Sequence, residues 1–267
     1  MIRITDDLGR ELTLPRPAQR IVSLVPSLTE TICVFGCAPH LIGVTRHCTM
    51  PVAELASTRR VGGTKNPDVT AIVHMAPDMV IVNAEENRKE DFEALTQAGL
   101  SVFVSYPRRV VDLPNLLRRL GTMVAADDAA ERAARDLEGA LASVAHPSAR
   151  RRVFCPIWKN PWMTFNGDTF ADDLLMLAGG ENVFRGRPDR YFEIALDEVV
   201  AAQPEVVLLP DEPYVFQQKD LPALAPLSET PALHEEQVFF VDGKALFWYG
   251  TRTGAALRYL EGILREA

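Results

Sequence analysis

Thr45-Arg46-His47-Cys48 is a place where side chains with chemistry stand together, after the apolar run "LIGV" and ahead of Pro51. An imidazole ligates transition metals and titrates near neutrality, while a guanidinium grips carboxylates and phosphates. Three roles fit His47: a metal ligand, one wall of a ligand cleft, or the end of a loop. Cys48, next in sequence, is expected to point away. Zinc needs more ligands at suitable spacing, and Cys33 and Cys37 of "CVFGC" have no matching second pair. Four apart on a helix, those two thiols read as small hydrophobes. The five histidines include no H-x-x-x-H pair. "VGGTKNP" lacks the P-loop spacing, and neither G-x-G-x-x-G nor G-x-S-x-G occurs. No enzyme is expected from these patterns.

Aromatic residues carry the other signal. Trp158 and Trp162 lie in "PIWKNPWMTF" and Trp248 in "ALFWYGTR", each expected just beyond the C-terminal end of a strand. Tyr191 in "DRYFEI" and Tyr214 in "LPDEPYVF" fall in loops of the same kind. Open α/β sheets bind ligands at that edge, and several aromatics there suit a broad, flat, apolar ligand. Phe154 or Trp158, taken singly, fits the core as well.

The elements that must position these residues alternate. "RIVSLVP" reads as a buried strand, and Ser27-x-x-Glu30 as the capping box of a helix ended by Gly36. "LIGVT", "DMVIVN" and "LSVFVSYP" are strands; "NPDVTAIVHMAP", capped by Asp68, "EENRKEDFEALTQAG" and "VVDLPNLLRRLGTMV" are helices. Nearly continuous apolar strands between helices predict a mainly parallel sheet covered on both faces. From Asp127 to His146, an apolar stripe from Ala129 to Val144 predicts one stiff helix of about 30 Å. Alternation then restarts with "RRVFCPIW", "TFADDLLMLAGG", "ALDEVVAAQP", "EVVLLP", "EQVFFVDG" and a terminal helix. "HMAPDMVIVN" and "AAQPEVVLLP" match as helix end, Pro, acid, buried strand. The architecture expected is α/β: two Rossmann-like lobes, residues 1–126 and 147–267, joined by a rigid helix over 127–146.

The 267 residues are 47% hydrophobic and 24% charged, with net charge −8. That acidity disfavours a nucleic-acid partner. No apolar run reaches a membrane span, and the N-terminal stretch has no apolar h-region. Either a cytoplasmic chain or one whose leader was replaced by a start Met is therefore expected.

"RIVSLVPSLTETICVFG", "LIGVTRHCTMP", "VGGTKNPDVTAIVHMAPDMVIVNAEEN", "LAGGENVF" and "LDEVVAAQPEVVLLPDEPY" resemble, almost throughout and in order, the class III substrate-binding proteins of ABC importers. The cobalamin-binding branch, also called helical-backbone metal receptors, is the nearest likeness. The resemblance implies a non-enzymatic, monomeric, extracytoplasmic protein with no intrinsic cofactor, holding a metal-containing ligand between its lobes for an importer permease. Cobalamin or a related corrinoid is expected first, with haem or a ferric siderophore as the alternative. His47 falls where a cobalamin-contacting aromatic sits and is a candidate axial ligand. Tyr191 aligns with a cleft tryptophan, and Thr64 replaces another. Trp158, Lys159 and Trp162 lie on the ligand-facing loop of the second lobe, Tyr214 on another, and Trp248, Tyr249 and Arg252 on the last. Arg46, Lys159 and Arg252 would meet the ligand's rim. The transporter-docking acid of each lobe maps to Thr70 and to Asp197, with Asp68 and Glu198 nearby. The first lobe thus lacks its acid unless Asp68 substitutes, which leaves room for a relative that works without a transporter. A reading from another class is a chelatase-like enzyme using His47 with Glu85 or Asp168.

Overall fold

The computed structural model describes residues 1–144 and 149–267. They form two compact units, one of Met1–Pro107, Val111–Glu138 and Tyr249–Thr251, the other of Arg108–Val110, Gly139–Trp248 and Arg252–Ala267. The fold class is α/β, each unit built on a parallel sheet.

The first unit opens with a hairpin that was not anticipated, β1 (Ile2–Thr5) antiparallel to β2 (Glu11–Leu14). Asp6 closes its turn: the carboxylate accepts from the backbone N–H of Leu8 and Arg10 and pairs with the Arg10 guanidinium at 2.5 Å. Then follow β3 (Ile21–Ser23), α1 (Pro26–Val34), β4 (Leu41–Val44), β5 (Arg59–Arg60), α2 (Val69–His74), β6 (Met79–Asn83), α3 (Lys89–Gln97), β7 (Val102–Ser105) and α4 (Leu113–Val124). The sheet runs β5-β4-β3-β6-β7, all parallel. Val22, Val80, Val82, Val102 and Val104 on its strands pack with Ile72 and Leu95 in the core. The expected Ser27 cap is corrected. Pro26 takes the first turn of α1 and Val25 the cap position, without a side-chain bond. Proline's fixed φ suits that turn, so Ser27 lies inside the helix and buried.

Helix α5 (Asp127–Ala142) buries Ala130, Ala134, Leu137 and Ala140, the stripe the sequence predicts. It ends at Ala142 rather than His146; His146 and Pro147 lie outside the described residues. Glu131 bonds both Arg118 of α4, at 2.6 Å, and Arg135, at 2.7 Å.

The second unit contains β8 (Arg151–Phe154), β9 (Met163–Phe165), α6 (Phe170–Leu177), β10 (Gly180–Asn182), β11 (Tyr191–Glu193), α7 (Leu196–Ala202) and β12 (Val206–Pro210). A 3-10 run over Gln218–Glu229 leads to α8 (Pro231–His234), β13 (Val238–Val241), α9 (Gly243–Phe247) and α10 (Thr253–Glu266). Its sheet runs β10-β8-β12-β13 in parallel, with β9 and β11 paired antiparallel beside it. Phe154, Phe184, Phe192, Val207, Leu209 and Phe216 centre the core. Phe154 is therefore core, one of the two alternatives the sequence left open.

The matched stretches "HMAPDMVIVN" and "AAQPEVVLLP" have one physical basis. Asp78, ahead of β6, accepts from the backbone N–H of Arg20, whose guanidinium caps the carbonyls of Met75 and Ala76 after α2. Glu205, ahead of β12, accepts from Arg152 N–H, whose guanidinium caps the carbonyls of Ala202 and Gln203 at the end of α7. Ala76 and Gln203 both turn the chain in the left-handed region, at φ 45° and 46°. An arginine thus satisfies carbonyls orphaned at a helix C-terminus, and an acid fixes that arginine's strand.

Candidate functional site

The loops that follow β4, β8 and β12 carry several of the candidate residues, and each unit is built differently there.

In the first unit β4 ends at Val44, and Thr45 turns the chain, its hydroxyl accepting from His47 N–H at 3.2 Å. Cys48 is buried, its sulfur 3.2 Å from the hydroxyls of both Thr45 and Thr29. Burial pushes its thiol pKa up, as it does for Cys33, to about 11, and for Cys37. All four cysteines are buried free thiols. Arg46 and His47 face outward. Arg46 donates to the Asn66 side chain at 3.0 Å, across Gly63. A Cβ at Gly63 would lie 2.5 Å from Asn66 Oδ1 and 2.7 Å from Arg46 Nη2, so a larger residue there would push these two side-chain ends apart. The His47 pKa is lowered by partial burial of the ring and then by the Arg46 charge, which favours the neutral imidazole with a lone pair to offer.

Thr64 is half-buried on the same loop. Its carbonyl accepts from Asn87 Nδ2 at 2.9 Å, and Lys65 donates to the Glu85 carbonyl. Asn87 also accepts from Asn83 N–H, while Asn83 Oδ1 accepts from the N–H of Glu85 and Glu86. Tyr249 completes this network. Its buried hydroxyl lies 2.8 Å from both Asn83 Nδ2 and Ser105 Oγ, and burial raises its pKa well above the usual value. Next to it Gly250 (φ 118°) packs where a Cβ would fall 2.3 Å from Thr31 Oγ1. The structure therefore makes Tyr249 a buried polar anchor.

In the second unit the loop after β8 presents Trp158, 43% exposed, then Lys159 and the half-buried Trp162. Trp158 meets Tyr214 edge-on at 5.7 Å, Tyr214 meets Phe216 at 4.7 Å, and Phe216 stacks on Trp162 at 5.9 Å. The rings pack in one continuous chain, Phe216 buried in the core and Trp158, Tyr214 and Trp162 partly exposed. Tyr191, at the start of β11, is 44% exposed. Lys159 does not extend freely: its ammonium pairs with Asp220 at 2.7 Å. Asp220 also accepts from the Tyr214 hydroxyl and from Gln217 N–H, and Lys159 holds its carboxyl below the usual range.

Trp248 departs from expectation. It follows α9 rather than a strand and is buried, with Lys244 5.6 Å from its ring and Arg252 at 5.2 Å. Lys244 pairs with Glu212 at 3.4 Å and Arg252 with Asp242 at 3.8 Å. Burial raises the Glu212 pKa against the pull of Lys244.

The structure thus brings Arg46, His47 and Thr64 to one loop edge of the first unit, with Tyr249 anchored behind. In the second unit it gathers Trp158, Lys159, Trp162 and Tyr214, with Trp248 and Arg252 in a separate cluster. Asn83, Asn87 and Asp220, which hold these edges together, carry no motif in the sequence. The docking candidates occupy repeat-equivalent places: Asp68 caps α2 and sits two residues before Thr70, while Asp197 and Glu198 lie in the first turn of α7, Glu198 paired with Arg187 at 2.9 Å. Asp168 is held by Arg108, at 3.1 Å, and Arg190, at 3.7 Å. Among the described residues, no group of three or more His, Cys, Asp or Glu is placed to hold a metal, and no helix is long and apolar enough to cross a membrane.

Comparison with known proteins follows the same lines. A family model described as periplasmic binding protein matches residues 21–245. A vitamin B12-binding protein of Vibrio parahaemolyticus is 25% identical over 217 residues, 78% of each chain. Among solved structures, the periplasmic vitamin B12 binding protein BtuF of Vibrio cholerae superposes with a TM-score of 0.82 at 22% identity, covering 94% of this chain and 98% of that one. The periplasmic haem-binding protein BhuT, in complex with two haems, gives a TM-score of 0.81 at 25% identity, covering 92% and 98%.

Proposed function

The chain belongs to the periplasmic binding protein family, and we propose that it captures cobalamin or a related corrinoid, without catalysis, for delivery to an ABC importer permease. The partly exposed rings Trp158, Tyr214 and Trp162, packed on the buried Phe216, carry the reading. A corrin is a wide, flat, largely apolar ring, and a rigid aromatic surface binds such a face with little ordering cost. The names of the Vibrio relatives point the same way. Arg46, His47 and Thr64 are the polar ligand candidates of the first unit, and Asp68, Asp197 and Glu198 are the acids offered to a permease. An extracytoplasmic compartment goes with this role.

Haem is the second reading, favoured by one observation: His47 is exposed and biased toward the neutral imidazole that ligates iron. Titration of tryptophan fluorescence with cyanocobalamin, dicyanocobinamide, haemin and a ferric siderophore separates the two. Saturable quenching by the corrinoids alone is expected. Quenching by haemin alone, with a Soret shift lost in His47→Ala, would replace corrinoid by haem. Quenching by none of the four would remove the ligand class.

A further inference from the structure

Lys159 stands between the two tryptophans of the aromatic patch, yet it is electrically spoken for. Its ammonium is 2.7 Å from the Asp220 carboxylate, with the two side chains 16% and 4% exposed. The same carboxylate accepts from the Tyr214 hydroxyl at 3.3 Å and from Gln217 N–H at 2.9 Å. One acid, 61 positions further along the chain, therefore holds both the cation of the patch and one of its rings. The pattern recurs nearby, where Lys244 is matched by Glu212 and Arg252 by Asp242.

We propose that Asp220 is a specificity-determining residue: by keeping Lys159 matched and turned into the protein, it makes this aromatic surface favour a macrocycle rimmed with amides over one rimmed with carboxylates. The proposal rests on the reading that this surface takes a corrinoid. An unmatched ammonium beside the rings would form charge-assisted bonds to rim carboxylates. A matched one offers no net charge to attract an anionic rim, so rim carboxylates lose their water without gaining a charged partner. Amide groups neither gain nor lose from the pairing to the same degree.

Two corrins that differ chiefly at the rim test this: dicyanocobinamide, with amides, and dicyanocobyrinic acid, with carboxylates. Their dissociation constants are measured by tryptophan quenching for the native protein, Asp220→Asn, Lys159→Met and the double variant. The native protein should bind the amide corrin more tightly. Asp220→Asn should move the ratio of the two constants about tenfold toward the carboxylate corrin, an effect that shrinks in high salt. Lys159→Met, which leaves the acid unmatched, should move it the other way and reads the proposal even if Asp220→Asn does not fold. The double variant should return to the native ratio. If cobinamide binds but neither single variant moves the ratio, or if the double variant keeps the shift, the assignment to Asp220 is overturned while the corrinoid reading stands. If the native protein binds neither corrin, the corrinoid reading falls and takes this assignment with it.

Discussion

At the N-terminal edges of their sheets the two units solve the same problem in the same way, whereas at the C-terminal edges they diverge. Arg20 with Asp78 and Arg152 with Glu205 each tie a helix end to two neighbouring strands. At the opposite edge the first unit uses neutral side-chain hydrogen bonds among Asn83, Asn87, Ser105 and Tyr249. The second uses packed rings and matched ion pairs. A duplicated architecture needs its strand starts held alike, since that geometry builds the sheet. Ligands meet α/β sheets at the other edge, which is free to take on different chemistry.

If ring packing holds the second unit's edge, removing a ring should cost most. Phe216 is 4% exposed and contacts both Tyr214 and Trp162. Phe216→Ala is expected to lower unfolding free energy by about 3–5 kcal/mol in urea titration. A cost below about 1 kcal/mol would show the patch to be loosely packed there. The matching change in the first unit is Asn83→Ala. It strips partners from the N–H groups of Glu85 and Glu86 and from the Tyr249 hydroxyl, and about 3 kcal/mol is expected. A value near zero would mean that water replaces the amide and that the edge is not held by this network.

Strands, long helices and the repeat were legible because periodicity and helix stops are local. What escaped was long-range pairing or competition between local rules. Ser27-x-x-Glu30 looked like a capping box, but Pro26 started the helix first. The hairpin has only short signals, alternation in "IRIT" and "ELTL" around Asp6 and Gly9. Aromatic type alone does not tell a wall from an anchor. Trp158 is exposed, whereas Trp248 is buried beside two cations and Tyr249 against Asn83. The family resemblance puts Lys159 at a ligand's rim, and nothing local reveals its partner, since Asp220 sits in a proline-containing 3-10 run that gives no periodic signal.

Charge in the second unit also leaves a pH signature. Asp172, in the first turn of α6, has its pKa raised by burial from 3.8 to about 6, with Arg185, 3.7 Å away, opposing. The folded state thus holds a proton that the unfolded chain releases. The resulting stabilisation is fully present below 3.8 and is lost as pH rises through 6. Over that window the native protein should lose up to roughly 3 kcal/mol relative to Asp172→Asn. Urea midpoints of both proteins at pH 4.5 and 7.5 check this, and parallel shifts in the two would refute it.

The smallest expected effect concerns the hydroxyl that Tyr249 brings to the first unit. Tyr249→Phe keeps the ring in place and removes one acceptor from Asn83 Nδ2 and one partner from Ser105 Oγ. Ser105 still donates to the Val82 carbonyl at 3.1 Å, and Asn83 Nδ2 has Ser105 Oγ at 3.5 Å to turn to. Because those partners can re-pair, the expected loss is about 1 kcal/mol, less than for Asn83→Ala. A double-mutant cycle between the two changes reads the comparison directly, since members of one network are non-additive. Additive losses would mean that Tyr249 and Asn83 act separately, and that the first unit's edge is a set of independent bonds.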